Sequence, residues 1–363
     1  MFPEKAKKLI EERKTLENYR ELKIYDNKVD FFSNDYLGIA KKLNKFKTTQ
    51  SHSGSTGSRL ISGNSVFCEE VENFLADFYN VESSLIFNSG YTANLAVLSA
   101  IPQRGDTILY DELIHASLRD GLRLSNAKSY KFKHNDLEDL ILKSKKSSGS
   151  VFVVTEGIYS MDGDEVNPEI LEACHKNNWF IILDEAHSTG ALGRNGKGIY
   201  ENYSNEIFAR VHTFGKALGT HGAVVTGSKE LKEFLVNFAR PFIYTTAMSN
   251  AELEVMQQAH TLLDQSEKEK KNLNENIKYF QGKIKETEDN FSFLDSNFAI
   301  QGILGNIEDL KSLSNVLDEK DIAVKTIFSP TVPMGKERIR ITLHSYNTKE
   351  EIDLLFNSIN SLK

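Results

Sequence analysis

The chain has 363 residues, 40% of them hydrophobic and 26% charged, with 51 acidic against 44 basic side chains and a formal net charge of −7. That is room for two domains or one large one with a sizeable core, and the acidic balance argues against a general nucleic-acid-binding surface. Cys68 and Cys174 lack C-x-x-C or Cys/His spacing, no apolar run approaches membrane-span length, and the charged N-terminus has no secretory core, which together fit a reducing cytoplasm.

Residues 4–20 read as a charged helix with a thin apolar stripe of Leu9, Leu16 and Tyr19. Short extended pieces follow around 22–25 and 29–32, and residues 1–45 form an N-terminal arm. A Gly/Ser loop at 51–65 leads into a helix at 66–79. From there strands at 84–88, 106–110, 127–132, 151–156, 180–184, 209–214 and 222–227 alternate with helices at 92–100, 115–124, 136–143 and 168–177. This spacing predicts an α/β fold, with a large domain (46–250) built on a mostly parallel sheet covered on both faces. Right-handed crossovers gather the strand ends on one edge, where ligands bind. A long polar helix at 249–285 then connects to a small C-terminal α/β domain. Its strands fall at 291–304, 324–328 and 338–343 and its helices at 308–319 and 349–362, so that connector and small domain span 251–363.

Several strand ends carry chemistry. Asp184-Glu185-Ala186-His187 spells a helicase-type box, but no G-x-x-x-x-G-K-[ST] loop precedes it, because Ala191 stands where the first glycine is needed before Gly196-Lys197. Asp184, after an apolar strand, is a buried carboxylate in need of a cationic partner such as a protonated pyridine nitrogen; its other reading is a strand-end cap. Lys216 follows a β-prone run and lies between Gly215 and Gly219, where backbone can approach a ligand and a desolvated amine becomes nucleophilic; alone it also reads as a surface lysine. Ser89, Gly90 and Tyr91 open a helix, a phosphate site or a plain cap. Ser160 offers a hydroxyl after the 151–156 strand, and a calcium loop at Asp162 and Asp164 lacks its later ligands. His115 stands at a strand-to-helix corner, as cap, core or catalytic group. Arg338 and Arg340 share one face of a strand, where a guanidinium fork suits a carboxylate and surface salt-bridging is the alternative.

In order and spacing these segments resemble the α-oxoamine synthases, pyridoxal-phosphate enzymes of the type I, aspartate-aminotransferase-like fold. The resemblance runs from about Phe32 to the C-terminus through SNDYLG (33–38), GSTGSRLISG (54–63), NSGYTAN (88–94), HASLRDG (115–121), TEGIYSMDGD (155–164), DEAHSTG (184–190), TFGKALG (213–219) and RIRITLH (338–344). It implies pyridoxal 5′-phosphate held by Lys216 as a Schiff base, with Asp184 on the ring nitrogen, His115 stacked on the ring and His187 on O3′. Ser89, Gly90, Tyr91, Ser160 and Thr213 would seat the cofactor and its phosphate. Arg340 would grip the amino-acid carboxylate, and Asn34 would lie in an arm closing over the site.

The implied reaction is decarboxylative condensation of an amino acid with an acyl thioester, the nearest members using L-alanine and pimeloyl-CoA or pimeloyl-acyl-carrier protein. Arg20, with Arg13 nearby, and Thr331 fall at acyl-donor positions. Some of those members carry an arginine where this chain has Phe328; if that arginine recognises the far carboxylate, this chain would use another group, such as Arg20 or Lys325, or take another acyl donor. Glycine C-acetyltransferase, 5-aminolevulinate synthase and serine palmitoyltransferase share the cofactor motifs, and a non-catalytic binding module on the same fold is a further alternative. The resemblance also implies a cytoplasmic homodimer with Thr245 or Thr246 reaching the partner's phosphate, and no metal, nucleic acid or membrane.

Overall fold

In a computed structural model of the chain, the described residues are 2–16, 19–25, 27–50, 53–199, 206–287 and 291–362. They fall into two compact units, Asn34–Leu273 and Met1–Ser33 with Asn274–Lys363. The sequence placed the divisions at 45 and 250; the structure divides at 33 and 273. Residues 17–18 of the expected first helix and 51–52 of the expected Gly/Ser loop lie outside the described residues.

The elements in chain order begin with α1 (Glu4–Thr15), β1 (Val29–Asp30) and α2 (Ile39–Leu43). A π-helical turn (Arg59–Gly63) inside the Gly/Ser loop precedes α3 (Val66–Tyr79), β2 (Ser83–Phe87), α4 (Gly90–Ala100), β3 (Thr107–Asp111), α5 (Ala116–Leu124), β4 (Lys128–Phe132) and α6 (Leu137–Ser144). Then come β5 (Val151–Glu156), α7 (Pro168–Lys176), β6 (Phe180–Asp184), β7 (Ala209–Thr213), β8 (Ala223–Gly227), α8 (Lys229–Phe238), α9 (Arg240–Ile243), α10 (Asn250–Asp264) and α11 (Glu267–Glu286). The chain closes with β9 (Ser292–Phe293), β10 (Ile300–Leu304), α12 (Ile307–Glu319), β11 (Ile322–Ala323), β12 (Lys325–Ile327), β13 (Arg338–Thr342) and α13 (Lys349–Asn360).

The larger unit holds a seven-stranded sheet ordered β2-β8-β7-β6-β5-β3-β4. Its pairs are parallel except those of β8, which runs antiparallel to both β2 and β7. Successive side chains of a strand point to opposite faces. Accordingly Phe152, Val154 and Ile182 join the core on one face, while Val153, Ile181 and Leu183 join the core on the other. A strand buried on both sides must be apolar throughout, which is why these stretches read as continuous hydrophobic runs. Between β3 and β5 the winding direction reverses, because β4 lies beyond β3 while the later strands add on the side of β5. Crevices at such reversals, outside the carboxyl ends of the strands, bind ligands.

Tyr36, Leu37 and Ile39 are buried, which is why α2 belongs to the larger unit instead of to an arm. The expected helix at 249–285 is two helices, α10 and α11, broken at Gln265 and Ser266. α10 is not a solvated connector: it buries Leu253, Met256, Ala259, His260 and Leu263 along one stripe. That stripe, diluted by Glu/Gln neighbours, accounts for the shifted division.

In the smaller unit β12-β13-β10-β9 form a four-stranded antiparallel sheet, and β1 pairs in parallel with β11. The expected strand at 291–304 is instead a hairpin, with Phe293 opposite Ile303. The expected helix at 4–20 ends at Thr15 and buries no residue.

Candidate active site

β3, β5, β6 and β7 end on the same edge of the larger sheet, and the singled-out residues follow from their ends. Asp184 is the last residue of β6 and is 4% exposed. Its Oδ2 accepts from Asn94 Nδ2 at 2.7 Å and its Oδ1 from the Ala186 amide at 2.9 Å. Asn94 also donates to Ser117 Oγ at 2.9 Å. Ser117 in turn lies 2.8 Å from His115 Nδ1, and its backbone N–H donates to that nitrogen. His115 is therefore both the N-cap of α5 and a site residue. A ring nitrogen that accepts a backbone N–H carries no proton, so the imidazole is neutral with its proton on Nε2. Burial pushes its pKa down in the same sense, as does the nearby Lys216 charge, while Asp184 opposes them.

Glu156, overlooked as a site residue although it lies within a quoted motif, ends β5 opposite Asp184 in the register. It is buried, and its Oε1 accepts the His115 backbone N–H. Burial, followed by the Asp184 charge, raises its pKa well above the ordinary carboxyl range; Lys216 pulls the other way. The Lys216 charge acts on both His115 and Glu156, and Lys216 itself follows the end of β7 on the same edge.

Lys216 is half-buried in a turn just past β7, closed by backbone bonds from Gly219 N to Lys216 O (2.8 Å), Thr220 N to Phe214 O (2.9 Å) and Phe214 N to Gly222 O (3.0 Å). The flanking glycines serve different needs from the expected one. Gly219 has φ +60°, and a Cβ there would meet the Ala40 backbone at 2.5 Å, so it serves packing against α2. Gly215 has room for a Cβ, whose nearest neighbour would be Thr220 O at 3.6 Å.

At the start of α4, Ser89 makes a capping box with Thr92, so its hydroxyl is committed to the cap. The Gly90 and Tyr91 N–H groups then remain without an intrahelical acceptor. A Cβ at Gly90 would lie 3.1 Å from Thr213 Oγ1, so glycine admits that hydroxyl beside the helix end. Tyr91 sets its ring edge-on to His115 at 6.5 Å. His187 follows β6, is 5% exposed, and meets Tyr36 through Nδ1 at 2.6 Å; Asn34 Oδ1 lies 3.4 Å from the same hydroxyl. Beside Asp184, Glu185 makes a buried ion pair with Arg210 at 2.8 Å, which is structural.

Ser160 sits in the loop after β5, and His134 ties that loop to the end of β3 through Asp164 and Asp111. Nδ1 of His134 bonds Asp111 at 3.1 Å and Nε2 bonds Asp164 at 2.7 Å. Burial opposes the charge, but the two carboxylates outweigh it and raise the His134 pKa to about 10. A raised pKa contributes stability that is fully present below the unfolded value near 6.5 and is lost as pH rises through about 10. His134→Asn is therefore expected to narrow the stability gap to wild type steadily between pH 7 and 10.5 (about), measured by thermal melts. A gap constant over that range would show that the imidazolium does not hold the loop.

Arg20, Thr331 and Arg340 lie in the smaller unit. Arg338 and Arg340 are both buried, against the alternative of surface salt bridges, and Arg340 NH1 donates to Thr342 Oγ1 at 3.0 Å. Arg20 and Thr331 line one cavity of about 330 Å³ with Arg13, Lys311, Lys325 and Phe328. Lys311 Nζ stands 5.9 Å from the centroid of the Phe328 ring.

The larger unit fits pyridoxal phosphate on its own chemistry. Asp184 is a buried carboxylate with amide donors and, among the described residues, no ion pair, a setting that calls for a cationic ring nitrogen. Asn94 Oδ1 beside it is buried without a partner. Thr213 Oγ1 makes no hydrogen bond among the described residues and, with the Gly90 and Tyr91 N–H groups, suits a phosphate.

The family model described as aminotransferase class I and II matches residues 26–359. The chain belongs to this family, and within it to the α-oxoamine synthases. It is 40% identical to an 8-amino-7-oxononanoate synthase of Emericella nidulans over 91% of this chain and 88% of that one. The solved 8-amino-7-oxononanoate synthase of Francisella tularensis matches with a TM-score of 0.75 and 30% identity, over 93% of this chain and 98% of that one. A serine palmitoyltransferase from S. paucimobilis, solved with a bound PLP–myriocin aldimine, matches with a TM-score of 0.87 and 26% identity, over 98% of this chain and 97% of that one.

Proposed function

We propose that this chain is a pyridoxal-phosphate-dependent acyltransferase that condenses L-alanine with a pimeloyl thioester, giving 8-amino-7-oxononanoate, CO2 and the free thiol, a reaction of biotin biosynthesis. The observation that carries the reading is the grouping of Lys216, Asp184, His115 and Glu156 at the sheet's carboxyl edge. The similarity to 8-amino-7-oxononanoate synthases over most of the chain supports the substrates.

When bound, the cofactor supplies the electron sink for negative charge at the amino acid's Cα. Lys216 Nζ would hold the cofactor covalently and, as a free amine, would take the Cα proton as a general base. Asp184, oriented by Asn94 and the Ala186 amide, keeps the ring nitrogen protonated. Glu156, whose pKa is raised by burial and by the Asp184 charge, fixes the backbone that carries His115. The Gly90 and Tyr91 amides, Ser160 and Thr213 would seat the phosphate, and His187 would donate to the phenolic oxygen. Arg340 binds the amino-acid carboxylate and Asn34 assists in substrate binding. The new C–C bond joins Cα to the acyl carbon as the C–S bond breaks and the thiol leaves; the carboxyl group then departs as CO2 and Cα regains a proton.

Arg20 and Thr331 belong to the donor end. Their cavity gathers Arg13, Arg20, Lys311 and Lys325 around Phe328, suiting a chain with methylenes and a terminal carboxylate. We assign the chain to a cytoplasmic homodimer; among the described residues no helix is long and apolar enough to cross a membrane.

Thiol release measured over a matrix of amino acids and acyl thioesters tests the reading. Alanine with pimeloyl-CoA or pimeloyl-acyl-carrier protein is expected to exceed glycine with acetyl-CoA, glycine with succinyl-CoA and serine with palmitoyl-CoA by at least about 100-fold in kcat/KM. Turnover confined to one of the other pairs would replace the assignment with that pair.

A further inference from the structure

Tyr36 is fully buried, and its hydroxyl reaches His187 across 151 residues of sequence at 2.6 Å from Nδ1. The two rings are tilted with centroids 6.3 Å apart, so the hydroxyl makes the contact and not a stacked face. The phenol is held firmly. Backbone bonds from Tyr36 N to Asn34 O (2.9 Å) and from Gly38 N to Asp35 O (3.0 Å) close the turn, and Leu37 and Ile39 anchor it in the core.

A phenol has one proton to give, and both Asn34 Oδ1 and His187 Nδ1 lie near it. Asn34 Oδ1 at 3.4 Å lies beyond the usual O–H···O range, whereas His187 Nδ1 at 2.6 Å is a short, full bond. The proton goes to His187. With Nδ1 an acceptor, the ring's own proton belongs on Nε2, since the bond at one imidazole nitrogen sets the state of the other.

We propose that Tyr36 is a positioning residue that donates to His187 Nδ1 and so holds the imidazole as the Nε2–H tautomer, the form able to donate to the cofactor's phenolic oxygen. This rests on the reading of His187 under Proposed function. Both groups are buried, so the bond lies in low dielectric, where it is stronger than in water.

Two readouts test it. In the full chain labelled with 15N-histidine and freed of cofactor, the resonances of His187, one of nine histidines, are identified by their loss in His187→Asn. The Nε2–H pattern is expected in wild type and a mixture of tautomers in Tyr36→Phe. Nδ1–H in wild type, or an unchanged pattern in a folded Tyr36→Phe, overturns the proposal. The wild-type spectrum decides it even if the variant does not fold.

In the loaded protein, a donor on the phenolic oxygen favours the form of the cofactor–lysine link that has lost its proton. The midpoint of the visible absorbance titration is therefore expected to rise by about half a pH unit in Tyr36→Phe, roughly threefold in the protonation equilibrium. His187→Asn should move it at least as far. A midpoint unmoved in His187→Asn removes that residue from the cofactor and the proposal with it. A shift in His187→Asn without one in Tyr36→Phe overturns the role of Tyr36 alone. Failure of the alanine and pimeloyl assignment would show in the substrate matrix and leave both readouts as they are.

Discussion

Lys216→Ala is expected to yield a folded protein whose thiol release falls by more than about 10⁴-fold, because the substitution removes a nucleophile and a general base together. The turn that holds residue 216 is closed by backbone bonds, so alanine leaves it intact. Borohydride reduction followed by mass measurement gives a direct readout. Wild type should gain one cofactor mass and the variant none. The loss of charge has a second signature. Lys216 now holds down the pKa values of His115 and Glu156, so both should rise in the variant. Covalent capture in the variant, or turnover within tenfold of wild type, would take Lys216 out of the chemistry.

The second large effect is expected from Asp184→Asn, with kcat reduced on the order of 10³-fold, comparable to removing one preorganised electrostatic contact in other active sites. The asparagine side chain nearly matches the carboxylate in shape, so cofactor affinity and melting temperature should change far less than kcat. The same substitution should lower the pKa of Glu156 and of His115, since Asp184 now raises both. A kcat within about tenfold of wild type, with the fold intact, would mean that another group holds the ring nitrogen's proton.

Much of the larger unit was legible because its physics is local. β5 and β6 had to be apolar on both faces, and their carboxyl ends had to lie on one edge, so Asp184 could be placed from the run before it. His115 was legible as a corner residue but not as a group whose Nδ1 is committed, since that depends on Ser117 and Asn94 from another helix. Glu156 and Tyr36 were overlooked as site residues for the same reason. A glutamate at a strand end and a tyrosine in a turn gain their meaning from partners 41 and 151 residues away. The buried stripe of α10 is masked in the sequence by its charged neighbours, and burial of Tyr36, Leu37 and Ile39 groups that stretch with the larger unit. Donor specificity was the least legible, since Phe328 acquires its surroundings from α12 and from residues near the N-terminus.

The parallel pairing of β1 with β11 has a consequence for how the chain comes off the ribosome. Val29 must wait for Ile322, so residues made early find their partners late, and that late closure is paid in loop entropy. The larger unit, continuous from Asn34 to Leu273, can complete its sheet during that interval. A nascent chain stalled soon after residue 273 should therefore protect the Lys216 turn from protease while still exposing residues 19–33. Synthesis of residues 274–363 then joins two stretches far apart in sequence into one unit.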